Sequence, residues 1–270
     1  MQKFGIDISK FQGSYNIAQA KAEGVEFVIA RIGGADDAKI GKYKDSQFEN
    51  NYQKCKQNGV PIGAYYLFNA YSERDAHDEA AHLLGLLKGH SLEYPVALDV
   101  EGNVLNQNAD ALCKYITACA ADLEQAGYYV VIYMSASPFK SKCQVLAKRF
   151  DLWIASYTLL KPGINGIGIW QYGGTTNKRR SNKVAGVVTD QNYAYKDYES
   201  IIKTAGLNGF SGYVPKACTT CKYLQPIYAG LDQTGIWCCA WRLYNDQYGV
   251  IVVDPNKVCD NWEDKNAKEG

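Results

Sequence analysis

Four acidic side chains stand at the edges of short apolar runs: Asp7, Asp99, Glu101 and Asp190. Asp99 and Glu101 are two residues apart, and alternate residues of a strand point to the same face. Two carboxylates aimed into one cavity repel each other, which raises one pKa and keeps a proton available near neutral pH. Glycosidic cleavage needs such a pair, an acid for the leaving oxygen and a carboxylate for the developing positive charge. Any one of these acids could equally cap a helix or pair with Lys or Arg. Four of them ending strands one, four and eight favour a shared cavity.

The elements that must position these acids are legible as eight apolar runs. They are Phe4–Ile8, Phe27–Ile32, Ile62–Phe68, Pro95–Val100, Val130–Met134, Leu152–Ser156, Gly168–Tyr172 and Val187–Tyr193. Each reads as a strand buried on both faces. Helix-like segments Ile17–Glu23, Asp45–Asn58, Ser72–Leu87, Ala109–Ala126 and Ser137–Arg149 alternate with them. Ser72 precedes Asp75 at capping spacing, and Gly24, Gly59, Gly89 and Gly127 follow helical runs where a left-handed residue is wanted. Alternating strands and helices predict an α/β fold with a parallel sheet, and eight strands predict a (β/α)8-like barrel with the acids at its carboxyl face. About 193 residues is short for that fold, so the barrel should be irregular, its last units lacking full helices. Tyr195–Ala205 can close it.

The chain has 270 residues with 29 basic and 28 acidic side chains, a net charge of +1. No strong field exists to recruit nucleic acid or an anionic membrane. No apolar stretch approaches the ~20 residues that span a bilayer. Met1–Asp7 has no basic region followed by an apolar run, so no secretory signal is expected. The protein is expected to be made in a cytoplasm and to need another route out. The three His residues lie on one helical segment and its end and read as solvated.

Nine cysteines divide unevenly. Cys55, Cys113, Cys119 and Cys143 are scattered at no metal-like spacing and read as free, unreactive thiols in the core. Cys218, Cys221, Cys238, Cys239 and Cys259 crowd the last 60 residues. This shift places a catalytic domain at 1–205, a Gly/Asn linker at 206–209 and a small cysteine-rich domain at 210–270.

Six segments resemble glycoside hydrolase family 25 lysozymes. Gly5-Ile6-Asp7-Ile8-Ser9-Lys10-Phe11-Gln12 resembles that family's opening motif, and Gly63–Phe68 its third strand. Pro95–Glu101 is similar to its Asp-x-Glu strand. Trp153-Ile154-Ala155 and Trp170-Gln171-Tyr172 look like its sixth and seventh strands, and Thr189–Asn192 like its closing Asp-x-Asn. Tyr66 departs from a common His, and Lys10 from a common small residue. The resemblance implies a muramidase that hydrolyses the β-1,4 bond from N-acetylmuramic acid to N-acetylglucosamine in peptidoglycan. It implies Glu101 as general acid, Asp99 and Asp7 as orienting and polarising groups, and Asp190 as a group that holds the substrate or assists its acetamido group. No cofactor is implied for catalysis. Tyr65, Tyr133, Trp153, Trp170 and Tyr172 lie at or near strand ends and could floor a sugar groove. Asn177-Lys178-Arg179-Arg180 reads as a solvated loop.

In the tail, Cys218-x-x-Cys221 with Cys239 and Cys259 can supply four thiolates for zinc or an iron–sulfur cluster. Adjacent Cys238 and Cys239 diverge on a strand, so only one would ligate. Disulfides and free thiols stay open. The resemblance implies an endolysin of bacteriophage type, whose tail would bind the cell wall. A non-catalytic wall-binding protein on the same scaffold is the alternative; the presence of all four acids argues against it.

Overall fold

In a computed structural model, the described residues are 2–36, 41–176, 179 and 181–211, with the backbone of 224–227 and 236–239. The chain divides into two compact units, Met1–Tyr213 and Val214–Gly270.

In the first unit the strands are β1 (Lys3–Ile8), β2 (Phe27–Asp36), β3 (Gly41–Lys44), β4 (Ile62–Leu67), β5 (Val96–Asp99) and β6 (Val130–Ser135). They continue with β7 (Asp151–Ala155), β8 (Ile167–Gly173), β9 (Lys183–Val184), β10 (Val187–Val188) and β11 (Asp190–Ala194). The main helices are α1 (Ile17–Ala22), α2 (Phe48–Asn58), α3 (Glu73–Leu87), α4 (Ala109–Gln125) and α5 (Tyr198–Thr204). The sheet runs β1-β11-β8-β7-β6-β5-β4-β2, and β2 pairs back onto β1, which closes an eight-stranded barrel. β3 extends β2 as an antiparallel hairpin arm.

Helix ends follow the local signals. The Ser72 hydroxyl accepts from the Asp75 amide, capping α3, and Gly59 turns the chain left-handed after α2 with φ of 59°. Such a conformation costs glycine little and an L side chain more.

Two expectations are corrected here. The last barrel strand is antiparallel to both neighbours, and the run Val187–Tyr193 is split. Val187–Val188 pairs with β9 in a small hairpin, and the barrel strand begins at Asp190 rather than ending there. The segment Ser137–Arg149 is not one helix. It is a short turn, a π turn over Phe139–Cys143 and a 3-10 turn over Gln144–Lys148. Phe139, Cys143 and Leu146 still face inward, so burial is kept while regular hydrogen bonding is not.

Strand alternation sorts the core into two layers. Ile6, Ile62, Leu98, Ile132 and Ile154 face outward beneath the helices. Phe27, Ile29, Ala97, Val131, Trp153 and Ile169 fill the lumen. Phe27 and Tyr94 stack at 4.3 Å in this inner layer, and a Cβ on Gly5 would run into the Phe27 ring. Gly63 is likewise constrained, since its Cβ would meet the Pro95 carbonyl oxygen at 2.6 Å. The small residues on β1 and β4 thus let the large inner aromatics fit, as close packing requires.

The expected linker 206–209 belongs to the first unit. Asn208 is fully buried. Its side chain donates to the carbonyls of Tyr94 (2.9 Å) and Leu92 (3.3 Å) and accepts from the Tyr129 amide at 2.7 Å. Leu207 and Phe210 pack on the inner-layer aromatics. The Gly/Asn composition serves a pinned turn, with Asn208 at φ 54°.

In the second unit, β12 (Leu224–Ile227) pairs antiparallel with β13 (Ile236–Cys239). Cys218, Cys221 and Cys259 lie outside the described residues, and Cys239 is placed by its backbone alone, opposite Leu224.

Candidate active site

At the carboxyl end of the barrel, β1 delivers Asp7, β5 delivers Asp99, the turn after β5 delivers Glu101, and the start of β11 delivers Asp190. An antiparallel strand begins at the face where its parallel neighbours end. Asp190 therefore joins the others although its strand runs the opposite way, and it stands opposite Asp7 in register.

Burial differs among the four. Asp7 and Asp99 are buried, Asp190 is half-buried, and Glu101 is exposed at the mouth. Burial raises all four carboxyls, because a charge loses water there. Asp7 is pushed up to about 8, first by burial and then by the Asp190 charge, against the donors Asn192 and Gln171. Asp99 is raised well above the carboxylate range by burial, with Glu101 and Asp7 adding to it. Asp190 is pushed up to about 6 by burial and by Glu101. Glu101 is raised because protein displaces part of its water even at the mouth, and Arg31 opposes this. The result is a proton-rich acidic cluster whose accessible member is Glu101.

A hydrogen-bond network fixes Asp7. Its Oδ2 accepts from Asn192 Nδ2 at 2.7 Å and Gln171 Nε2 at 3.0 Å. Trp153 Nε1 donates to Asn192 Oδ1 at 2.8 Å. The hydroxyls of Tyr133 and Tyr157 donate to Gln171 Oε1 at 2.9 and 3.1 Å. The two phenols fill the Gln171 carbonyl and so leave its amide group for Asp7. Asp99 differs: its Oδ1 is buried with no hydrogen-bond partner among the described residues.

Of the five expected groove aromatics, three are at the site. Trp153 packs edge-on against Tyr133 at 4.6 Å and Tyr65 at 6.1 Å, beneath the acids. Tyr133 and Trp153 are themselves buried, so they support the site and Tyr65 is the more open of the three. Trp170 and Tyr172 are corrected. They flank Gln171 on β8, and alternation turns them to the outer layer. Both are buried there, Trp170 donating to the Ser156 carbonyl at 2.9 Å and Tyr172 stacking on Tyr193 at 4.4 Å. Arg179, expected to be solvated, holds its guanidinium over the Trp170 ring at 5.2 Å.

The sequence reading missed Gln171, Asn192, Tyr157 and Arg31. Gln171 and Asn192 stand inside the strand motifs, and their alternation with outward residues places them beside Asp7. Tyr157 sits in the loop after β7 and carries no periodic signal. Among the described residues, Arg31 is the cation that acts on Asp99 and Glu101. Its side chain faces the lumen from β2 and pairs with buried Asp45 through Nε at 2.7 Å. The exposed Phe11 ring lies over its guanidinium at 4.9 Å.

Residues 6–180 match Glycosyl hydrolases family 25. An autolytic lysozyme of Clostridium acetobutylicum is 33% identical over 162 residues, covering 60% of this chain and 47% of that one. The chain thus spans about half the length of that curated relative. Among solved structures, the modular autolysin LytC of Streptococcus pneumoniae, determined with a synthetic peptidoglycan ligand, aligns with a TM-score of 0.61 at 25% identity. It covers 72% of this chain and 47% of that one. The bacterial lysozyme of Streptomyces coelicolor aligns with a TM-score of 0.62 at 24% identity, over 77% of this chain and 98% of its own. The extent of the match, together with four acids on one barrel face, identifies this chain as a member of glycosyl hydrolases family 25.

Proposed function

We propose that this chain hydrolyses the β-1,4 bond between N-acetylmuramic acid and N-acetylglucosamine in bacterial peptidoglycan, with Glu101 as the general acid. The observation that carries the reading is the contrast among the acids. Three are sheltered, while Glu101 is exposed to an incoming glycosidic oxygen and has a raised pKa. A carboxyl held above its ordinary range by burial gives up its proton less readily to water and can pass it to the leaving oxygen. Asp99 and Asp7 would hold negative charge or hydrogen bonds against the sugar as positive charge develops, and Asp190 would hold the substrate. Tyr65 would offer its ring to a sugar face.

The test is turbidity loss of purified walls, with mass analysis of the new reducing ends. Muramic acid ends support the reading; N-acetylglucosamine ends would make the enzyme a glucosaminidase. Glu101→Gln keeps the side-chain shape but cannot donate the proton. It should leave folding intact and cut the rate by roughly 10²–10⁴-fold. More than a third of the unsubstituted rate would remove Glu101 from the role.

We also read the chain as an endolysin of bacteriophage type, made in the host cytoplasm and acting on the wall after release. Its tail would bind the wall and raise the local enzyme concentration there. In the tail, Cys218, Cys221, Cys239 and Cys259 are read as ligands for zinc or an iron–sulfur cluster. Wall pull-down and metal analysis of the full chain test these readings separately. A chain with neither metal that titrates all five tail thiols would reject the ligand set.

A further inference from the structure

Phe11 carries the most exposed ring among the described aromatics, at 77%, and the hydrolysis outlined above makes no use of it. A single exposed ring is ordinary on a protein surface, but this one is held in place. It sits in the 3-10 turn Lys10–Gln12 that follows β1, at the barrel end that carries Asp7. The turn is closed by a reciprocal cap: Ser9 Oγ accepts from the Phe11 amide at 3.3 Å, and Gln12 Oε1 accepts from the Ser9 amide at 2.9 Å. Buried Asp45 anchors it further. Its Oδ2 accepts from the Lys10 amide at 3.1 Å and from Arg31 Nε at 2.7 Å.

Two cations flank that ring. The Arg31 guanidinium lies over it at 4.9 Å. Lys10 Nζ lies over it at 5.6 Å and over the Tyr43 ring at 5.9 Å, and pairs with no carboxylate of the described residues. The rim beside the acidic cleft therefore offers an apolar face with a free positive charge next to it. The sugars of a glycan strand carry no charge for Lys10 to meet. The carboxylates of peptidoglycan are on the peptide stem that hangs from muramic acid, and such a stem leaves the sugar toward the rim rather than toward the floor of the cleft.

We propose that Phe11 and Lys10 form a subsite for the acid-bearing peptide stem of the substrate, an inference that rests on peptidoglycan being that substrate. The Phe11 ring covers the apolar part of the first stem residues, and the Lys10 ammonium meets a stem carboxylate. The capped turn sets the ring before the ligand arrives, which lowers the ordering cost of binding. A charge at the rim of a site selects among ligands more than it adds affinity. The subsite thus distinguishes stems with free carboxylates from stems whose carboxylates are amidated.

The probe is the soluble disaccharide N-acetylglucosaminyl-N-acetylmuramic acid with an L-alanyl-D-glutamate stem, its carboxylates either free or both amidated. NMR titration of the full chain reads Kd for each without turnover. The free acid should bind roughly 2–5-fold more tightly, the effect of one exposed ion pair, and Lys10→Met should erase that preference. Phe11→Ala should weaken both ligands alike, by roughly 2–10-fold. On soluble strands with free stems both variants should raise KM rather than lower kcat, because the contact is the same in the ground state and the transition state. Equal binding of free and amidated stems by the unsubstituted chain, a preference that survives Lys10→Met, or unchanged binding by Phe11→Ala would overturn the proposal. Strands bound with the expected preference yet left uncleaved would strike the hydrolytic reading and leave the subsite standing.

Discussion

Asp7 and Asp190 face each other across the pairing of the first and last barrel strands. They belong to opposite ends of the barrel sequence, yet the charge of Asp190 is among the causes that hold Asp7 up to about 8. Asp190→Asn removes that charge and should lower the Asp7 pKa by on the order of one unit. Burial, the larger cause, stays, so Asp7 should still titrate above an ordinary carboxyl. Carboxyl-carbon NMR titration reads the change directly. An unmoved Asp7 would deny the coupling.

Arg31 opposes the raised pKa of Glu101. Replacing it by Met should let Glu101 keep its proton to higher pH. The alkaline limb of the pH–rate profile should then move upward, because the acid is active when protonated. Asp45→Asn should accompany Arg31→Met, since a buried carboxylate left without its cation costs about 3–5 kcal/mol. A limb that moves downward would contradict the assignment of Glu101 as the acid.

Glu79 is buried within α3, where it accepts from the Asn69 amide at 3.1 and 3.3 Å. Burial pushes its carboxyl up from 4.5 to about 7. A carboxyl raised in the fold stabilises it fully below the unfolded pKa and gives that stability up as pH rises through the folded pKa. The loss should therefore fall between about pH 4.5 and pH 7. Glu79→Gln keeps an acceptor for Asn69 and cannot ionise. Relative to the unsubstituted protein it should gain about 1–3 kcal/mol between pH 4 and pH 8 in denaturant unfolding. A constant difference across that range would show that Glu79 does not titrate there.

Asn208 ties the chain after α5 to the starts of β5 and β6. A fragment ending at residue 205 leaves those backbone groups buried without partners, at about 1–3 kcal/mol each. It should melt well below a fragment ending at residue 213, by roughly 5–10 °C. Calorimetry of the two fragments decides it; equal melting temperatures would return 206–209 to the role of a linker.

Strand positions and the four acids were legible because buried strands are written as apolar runs and the acids interrupt them. What alternation decides was only partly used. Applied to Trp170, Gln171 and Tyr172, it turns the glutamine inward and both aromatics outward, yet aromatic character alone drew attention to the wrong two. The direction of the last strand was not legible, because the two-residue alternation of faces is the same along either direction. Arg31 escaped notice because an arginine within an apolar run gives no sign of whether it serves a fold or a site. The linker failed for a related reason. Glycine and asparagine mark positions that need a left-handed turn, and such turns occur in pinned segments as well as in free ones.

The antiparallel closure has a topological consequence. Lys3, near the beginning of the chain, lies opposite Ala194 at the end of the last barrel strand, and its ammonium reaches Asp197 at 3.4 Å. Both lie at the end of the barrel away from the four acids. The strands close a ring whose seam lies far from the four acids, and the chain then runs through α5 to Asn208 at that same end of the barrel. A circular permutant is therefore a natural rearrangement, with a connector from the residues after Asn208 back to β1 and new ends opened in an exposed loop such as that around Gly163. The order of the acids along the chain would change, and their arrangement in space would not.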